Sequence, residues 1–398
     1  MEVSEKILHE SFHTSRIELS RRALKKNIRF LKKYIGRNTI FSSVIKGNAY
    51  GHGIETFLPL AEECGVRHFS VYSPYEAYVA NKVKTQESHI MIMGETTPDV
   101  IEWAIENNIS FFVFSNKELN DALVAAKKLQ KPAKIHLELE TGLNRTGLYD
   151  KYLDQAVEKI KSNYDFIQVI GTCTHYAGAE SIGNYVRIKN QTEEYNRMVA
   201  TLRSMGLDTG ICHTAASAAA LTYPETIMNM VRFGIAHYGY WPSRETQMHY
   251  YQRNGDADNQ RRKDPLRRII SWKSRIMNIK QVKPGEFVGY GTAYMTIRKQ
   301  KIACVPIGYY HGFSRTLSNK GYVLVRGRRV LVVGWVNMNM MMIDVTDVPQ
   351  VEVGDEVTII GNQKKQHISV GSFSDMTSYL NYEVLVRLPE EIPRIVVD

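Results

Sequence analysis

Five short segments carry residues that could act on a small anionic molecule. Lys46 closes an apolar run, SSVIK, and leads into the glycine-rich GNAYGHG. An amine at such a strand end can be desolvated enough to attack a carbonyl and form a Schiff base. LETGLNRTG presents Arg145, THYAGAE presents His175, and HTAASAAAL places Ser217 at the opening of a helical segment. Backbone N–H groups at such an opening can hold an anion. VRFGIAHYG offers Arg232 and then Gly234 and Ile235, whose N–H groups suit a phosphate. Singly, each has an ordinary structural explanation: a solvated lysine, a core histidine, an arginine in an ion pair. Their joint position at the ends of strand-like runs gives them weight.

The runs that must position them repeat. β-Branched or aromatic stretches occur at 39–46, 68–72, 89–94, 109–115, 133–140, 167–175, 209–213 and 228–235, with helical stretches between. A helix from Ser20 to about Tyr34, with Leu24, Ile28 and Leu31 on one face, precedes the first. Eight strands alternating with helices predict an α/β fold, a (β/α)8 barrel over 16–243, whose strand C-termini form the active face. Residues 1–15 read as an N-terminal extension. Residues 244–268 are polar and carry N-G and D-P turn signals, and 244–265 reads as a linker or excursion. From 266 to 398 short strands joined by P-G, N-K-G and R-G-R turns predict a mostly-β domain.

Composition sets outer limits. The 398 residues are 43% hydrophobic and 23% charged, which excludes a disordered or low-complexity chain. The net charge of +10 raises nucleic acid or an anionic membrane as a partner. Its distribution argues otherwise. Residues 16–33 carry a net +7 and 244–268 a net +3, so the rest of the chain, Lys46, Arg145 and Arg232 included, is neutral overall. No nucleic-acid recognition motif appears, and no apolar run is long enough to span a membrane. Four scattered cysteines without CxxC argue against disulfides or a metal site. With no apolar leader in MEVSEKILHESFHTS, they predict a cytoplasmic protein.

Six ordered motifs then carry a specific likeness. SVIKGNAYGHG, VRFGIAHYGYWPS, VGYGTAY, IGYYHGF, GWVNMNMMMIDVTD and NYEVLVRLPEEIPR resemble the alanine racemase family, which uses pyridoxal 5'-phosphate. The resemblance runs from about residue 14 to the last residues. It implies that Lys46 binds the cofactor and serves as one acid/base group. Tyr50, Ser217, Gly234, Ile235 and Tyr382 would hold the cofactor phosphate, and Arg232 would face the pyridine nitrogen. Tyr290, from the partner subunit of a head-to-tail homodimer, would be the second acid/base group, with His175 beside it and bonded to Arg232. On this likeness the positive charge of His175 and Arg232 would favour the Tyr290 phenolate. Arg145 and the Met338 N–H would meet the substrate carboxylate, and Tyr309 would narrow the entrance.

Several positions depart from the family pattern. Glu138 stands where many relatives carry a carbamylated lysine, and it could supply the same negative charge in an ion pair with Arg145. Asn337-Met338-Asn339 replaces the usual Cys-Met-Asp, and Ala216 replaces an asparagine. The asparagines resemble broad-spectrum amino-acid racemases, so the alternative to alanine is a broad-specificity or serine-preferring enzyme of the same fold. A decarboxylase of similar architecture would carry a carboxylate where Arg232 stands, and a barrel-only cofactor-binding protein would lack the domain bearing Tyr290 and Met338.

Overall fold

The computed structural model describes residues 12–253, 264–377 and 380–398. They fall into two compact units. Arg22–Lys46 and Leu58–Arg268 make one; the residues up to Arg21, Gly47–Phe57 and Ile269–Asp398 make the other. The first strand, β1 (Ser15–Ser20), belongs to the second unit.

Eight parallel strands build the first unit: β2 (Ile40–Val44), β3 (His68–Val71), β4 (His89–Ile92), β5 (Ser110–Val113), β6 (Ala133–Glu138), β7 (Ile167–Cys173), β8 (Ile211–His213) and β9 (Met230–Phe233). Each matches one of the eight runs in the sequence. Most of their residues are buried on both faces, which is why they read as continuous apolar runs and not as alternating ones. Neighbours follow chain order from β2 to β8, with β9 on the other side of β2. The end strands meet through Arg232 N–H to Ala215 C=O and Asn229 N–H to Cys212 C=O, both 3.0 Å, so the barrel is nearly closed.

The intervening helices start where their caps dictate. Ser73 and Glu76 form a capping box at Pro74–Val83, and Ser115 caps Asn116–Leu129. The helix Arg21–Ile35 buries Leu24, Ile28 and Leu31 and turns Arg22, Lys25, Lys26 and Arg29 outward. The excess charge is therefore spread on a helix face. No helix among the described residues is long and apolar enough to cross a membrane.

The proposed excursion differs from its reading. Arg244–Arg253 is a helix, because Ser243 Oγ accepts from Thr246 N–H (3.0 Å) at its start and Tyr250 packs on Trp241 and Phe30. Residues 254–263 of that stretch lie outside the described residues, as do 1–11 of the N-terminal extension.

The second unit is mostly strand: β10 (Ile270–Arg275), β11 (Asn278–Val282), β12 (Gln300–Val305), β13 (Tyr322–Val325), β14 (Arg328–Val333), β15 (Met341–Asp344), β16 (Glu356–Gln363), β17 (Gln366–Ile368) and β18 (Arg394–Val397), with helices at Val370–Thr377 and Asn381–Val386. β1 lies antiparallel to β10 and parallel to β18. Its alternating burial, with Ile17 and Leu19 inside, is that of a sheet strand, so the sequence boundary at residue 16 moves to the start of the following helix.

Gly47–Phe57 contributes an unusual turn. Gly47, Asn48, Ala49, Tyr50 and Gly51 are all left-handed, with φ of 61, 50, 53, 51 and 76°. A non-glycine residue in that region costs on the order of 1–2 kcal/mol, so other bonds must hold it. Gly51 N–H reaches Gly47 C=O (2.9 Å), Gly53 N–H reaches Asn48 C=O (2.9 Å), and buried His52 places Nδ1 2.9 Å from the carbonyls of Ala49 and Tyr50. Arg394 Nη2 donates to Gly51 C=O (2.9 Å), and a Cβ on Gly51 would overlap the Leu385 carbonyl oxygen.

Buried histidines set the acid stability. Burial pushes His52 and His68 down to about 3 and His89 to about 4. Unfolded, they take up protons below about pH 6.5. Protons therefore favour the unfolded chain, and stability falls as pH drops below about 6.5, by roughly 1.4 kcal/mol per pH unit for each such histidine. Glu118 and Glu138, pushed up by burial, oppose this. The urea midpoint should fall steadily from about pH 7 to about pH 5, and a flat profile would contradict the neutral buried state of these rings.

Candidate active site

The barrel brings its strand-end residues to one face. Lys46 comes two residues after β2, Glu138 ends β6, His175 comes two residues after β7, and Arg232 lies within β9 in register with Ser42 of β2. Lys46 is open to solvent, yet enough protein surrounds it that burial, and then the charges of Arg145 and Arg232, lower its pKa. Glu76 opposes that shift. A lowered pKa leaves more free amine at neutral pH, as a nucleophile or base requires.

Arg232 is buried, with 4% of its surface exposed, and a charge in that position needs acceptors. It has them. Nη1 donates to the His213 carbonyl (2.6 Å) and to His213 Nδ1; Nη2 donates to the carbonyls of Thr174 (2.9 Å) and Thr214 (3.1 Å). The tie to His213 is one the sequence reasoning missed. Its only signal was a histidine at the end of TGICH, a run that reads as core.

Two residues on, Ser217 Oγ accepts from Gly234 N–H (3.0 Å) and Ala236 N–H (3.4 Å). The buried Ser217 hydroxyl is thus set against the backbone that follows β9, where Gly234 and Ile235 lie. A lowered-pKa amine, a fixed guanidinium and a hydroxyl–amide corner fit the carbonyl, the ring nitrogen and the phosphate of pyridoxal phosphate. Buried Gln191 secures the loop after β7: its Nε2 donates to His175 C=O (3.1 Å) and its Oε1 accepts from Ala177 N–H (2.8 Å).

Two expectations are corrected. Among the described residues His175 does not bond Arg232 through its ring, and burial keeps that ring from carrying positive charge. Burial, then Arg232, Arg145 and Lys46, push it down to about 3, so at neutral pH it is a neutral imidazole. Nor does Glu138 form an ion pair with Arg145 among the described residues. Its carboxyl hydrogen-bonds the Thr146 side chain, burial pushes its pKa up, and Arg145 acts on it only through space.

The other candidates lie in the second unit. Tyr50, at the left-handed turn, has its ring 6.0 Å from that of Tyr382. Tyr309 and Met338 are brought together by Tyr309 N–H to Asn337 C=O (3.0 Å) and Tyr310 N–H to Met338 C=O (3.0 Å). Tyr290, between left-handed Gly289 and Gly291, exposes 72% of its surface, and Met338 exposes 55%.

Comparison with known proteins bears on what this arrangement is. Residues 19–242 match the family model described as alanine racemase, N-terminal domain, and residues 269–396 match alanine racemase, C-terminal domain. An alanine racemase of Leptospira interrogans is 36% identical over 387 residues, covering 97% of this chain and 96% of its own. The solved alanine racemase of Clostridium difficile 630 superposes with a TM-score of 0.87 at 29% identity, covering 97% of this chain and 96% of that one. The alanine racemase of Bartonella henselae, solved with covalently bound pyridoxal phosphate, gives a TM-score of 0.81 at 25% identity, covering 97% of this chain and 100% of that one. With both halves matched in order and relatives alike along nearly the whole chain, this protein belongs to the alanine racemase family.

Proposed function

We propose that the protein interconverts L-alanine and D-alanine with pyridoxal 5'-phosphate, by two acid/base groups on opposite faces of the substrate. Arg232 is the observation that carries the reading. A guanidinium donates hydrogen bonds and does not give up its proton, so facing the pyridine nitrogen it leaves that nitrogen unprotonated. A carboxylate there would do the reverse. When bound, the cofactor supplies the sink for the electron pair released at the substrate α-carbon.

The protein's part is binding, orientation and proton movement. Lys46 anchors the cofactor and exchanges a proton on one face. Tyr290 of a second copy exchanges one on the other, and its exposure in a single chain supports a homodimer whose sites are shared. Free tyrosine is a weak base, with a pKa of about 10. His175 is neutral, so Arg232 is the cation left to favour the phenolate. Ser217, Gly234, Ile235, Tyr50 and Tyr382 hold the phosphate. Arg145 and the Met338 N–H receive the substrate carboxylate, Tyr309 borders its path, and Glu138 steadies Arg145 by charge at a distance. Alanine is favoured over serine or a wider range by the names of the relatives matched along the whole chain. Wide cysteine spacing without CxxC supports a cytoplasmic setting.

Chiral chromatography over a panel of L-amino acids tests the reading: alanine should racemise fastest, and no α-carbon inversion with any of them would end it. Tyr290→Phe should slow proton removal from L-alanine more than from D-alanine, measured as α-deuterium washout from each enantiomer; equal losses would show that the two groups do not hold opposite faces. Glu138→Gln should raise KM for alanine several-fold with kcat little changed, and an unchanged KM would remove Glu138 from substrate binding.

A further inference from the structure

Arg232 is held by a histidine, and that histidine is held by another. Nε2 of His213 lies 2.9 Å from Nδ1 of His136, and the two rings meet edge-on at 79°. The hydrogen positions along this line follow from the guanidinium at its end. Arg232 can only donate, so Nδ1 of His213 must accept. Neutral His213 then carries its hydrogen on Nε2 and donates it to Nδ1 of His136. His136 in turn carries its hydrogen on Nε2. Both rings are fully buried, and burial, with Arg232 among the further causes, holds both well below the usual histidine range.

The backbone makes a specific place for His136. The pairing of β6 with β7 shifts register between Ile135 and His136, so His136 faces Gly171, and such irregularities re-aim a side chain. A Cβ on Gly171 would overlap Nδ1 of His136. Nε2 of His136 is buried with no hydrogen-bond partner among the described residues, an arrangement that costs stability. A core without a reason for a histidine would place an apolar residue here.

We infer that His136 is a positioning residue for the reaction. It fixes the tautomer and orientation of His213, and through His213 the direction in which Arg232 presents its guanidinium. This rests on the racemase reading for its kinetic consequence alone.

The experiment has two arms. The full-length protein, labelled with 15N-histidine, is read by long-range 1H–15N correlation, with the two signals assigned by their loss in His136→Asn and His213→Asn. Both rings should show the neutral Nε2–H form from about pH 6 to about pH 9. An Nδ1–H form or an imidazolium at either ring overturns the inference, whether or not the protein racemises alanine. The second arm compares His136→Leu, which removes the acceptor, with His136→Asn, whose Oδ1 keeps one near Nδ1. Leucine should lower kcat by about tenfold or more with KM within about twofold, and asparagine should recover kcat to within about threefold of the parent. Equal loss in both variants, or no loss with leucine, overturns it. Should the leucine protein not fold, His136→Met takes its place. A parent that inverts no amino acid refutes the functional reading and leaves the first arm to decide this one.

Discussion

A cation buried in a barrel must find an acceptor for its N–H groups, and the surroundings of Arg232 are arranged by that need. Its carbonyl partners come from the end of β8 and the residues just past β7 and β8, while its own backbone N–H binds Ala215 across the closing edge of the barrel. One side chain therefore joins three strand ends where the sheet closes. No carboxylate contacts it among the described residues; carbonyl dipoles and a neutral imidazole do the work. That leaves the guanidinium its full charge toward whatever it faces. The Ser217 corner lies just beyond on the same chain segments, so the hydroxyl–amide corner and the guanidinium share one support.

The charges of two neighbouring groups answer to burial and to this cation. Burial first, and then the field of Arg145 and Arg232, makes both Lys46 and His175 resist protonation. A site already holding two arginines disfavours a third and fourth cation. The amine and the imidazole are thereby kept in the forms useful for bonding and proton transfer.

Much of this was legible in the sequence, and the misses have particular causes. The barrel strands were readable because burial on both faces leaves continuous apolar runs. Lys46, Arg145, His175, Ser217 and Arg232 stood out because each follows or ends such a run. β1 was missed because its partners, β10 and β18, are some 250 and 380 residues away and no local pattern announces them. The helix Arg244–Arg253 was missed because its polar composition hid the Ser243 cap. His213 and His136 lie inside runs that look like core, and a tautomer chain is a property of paired strands. The seven-residue gap from Glu138 to Arg145 suggested a pair, but the loop direction gives the hydrogen bond to Thr146 instead. The charge on His175 depends on its depth, which no spacing encodes.

The unit that holds Gly47–Phe57 is assembled from three separate stretches of sequence. During synthesis, β1 leaves the ribosome well before its neighbours, which emerge only when residues 270–275 and 394–397 have been made. The strained turn after Lys46 waits as well, because Arg394, which grips Gly51, is made 343 residues after it. Lys46 is thus followed by a segment that cannot settle until Arg394 has been made. A ribosome that stalls before Arg394 releases a product that can carry all eight barrel strands and still lack the clamp on that turn.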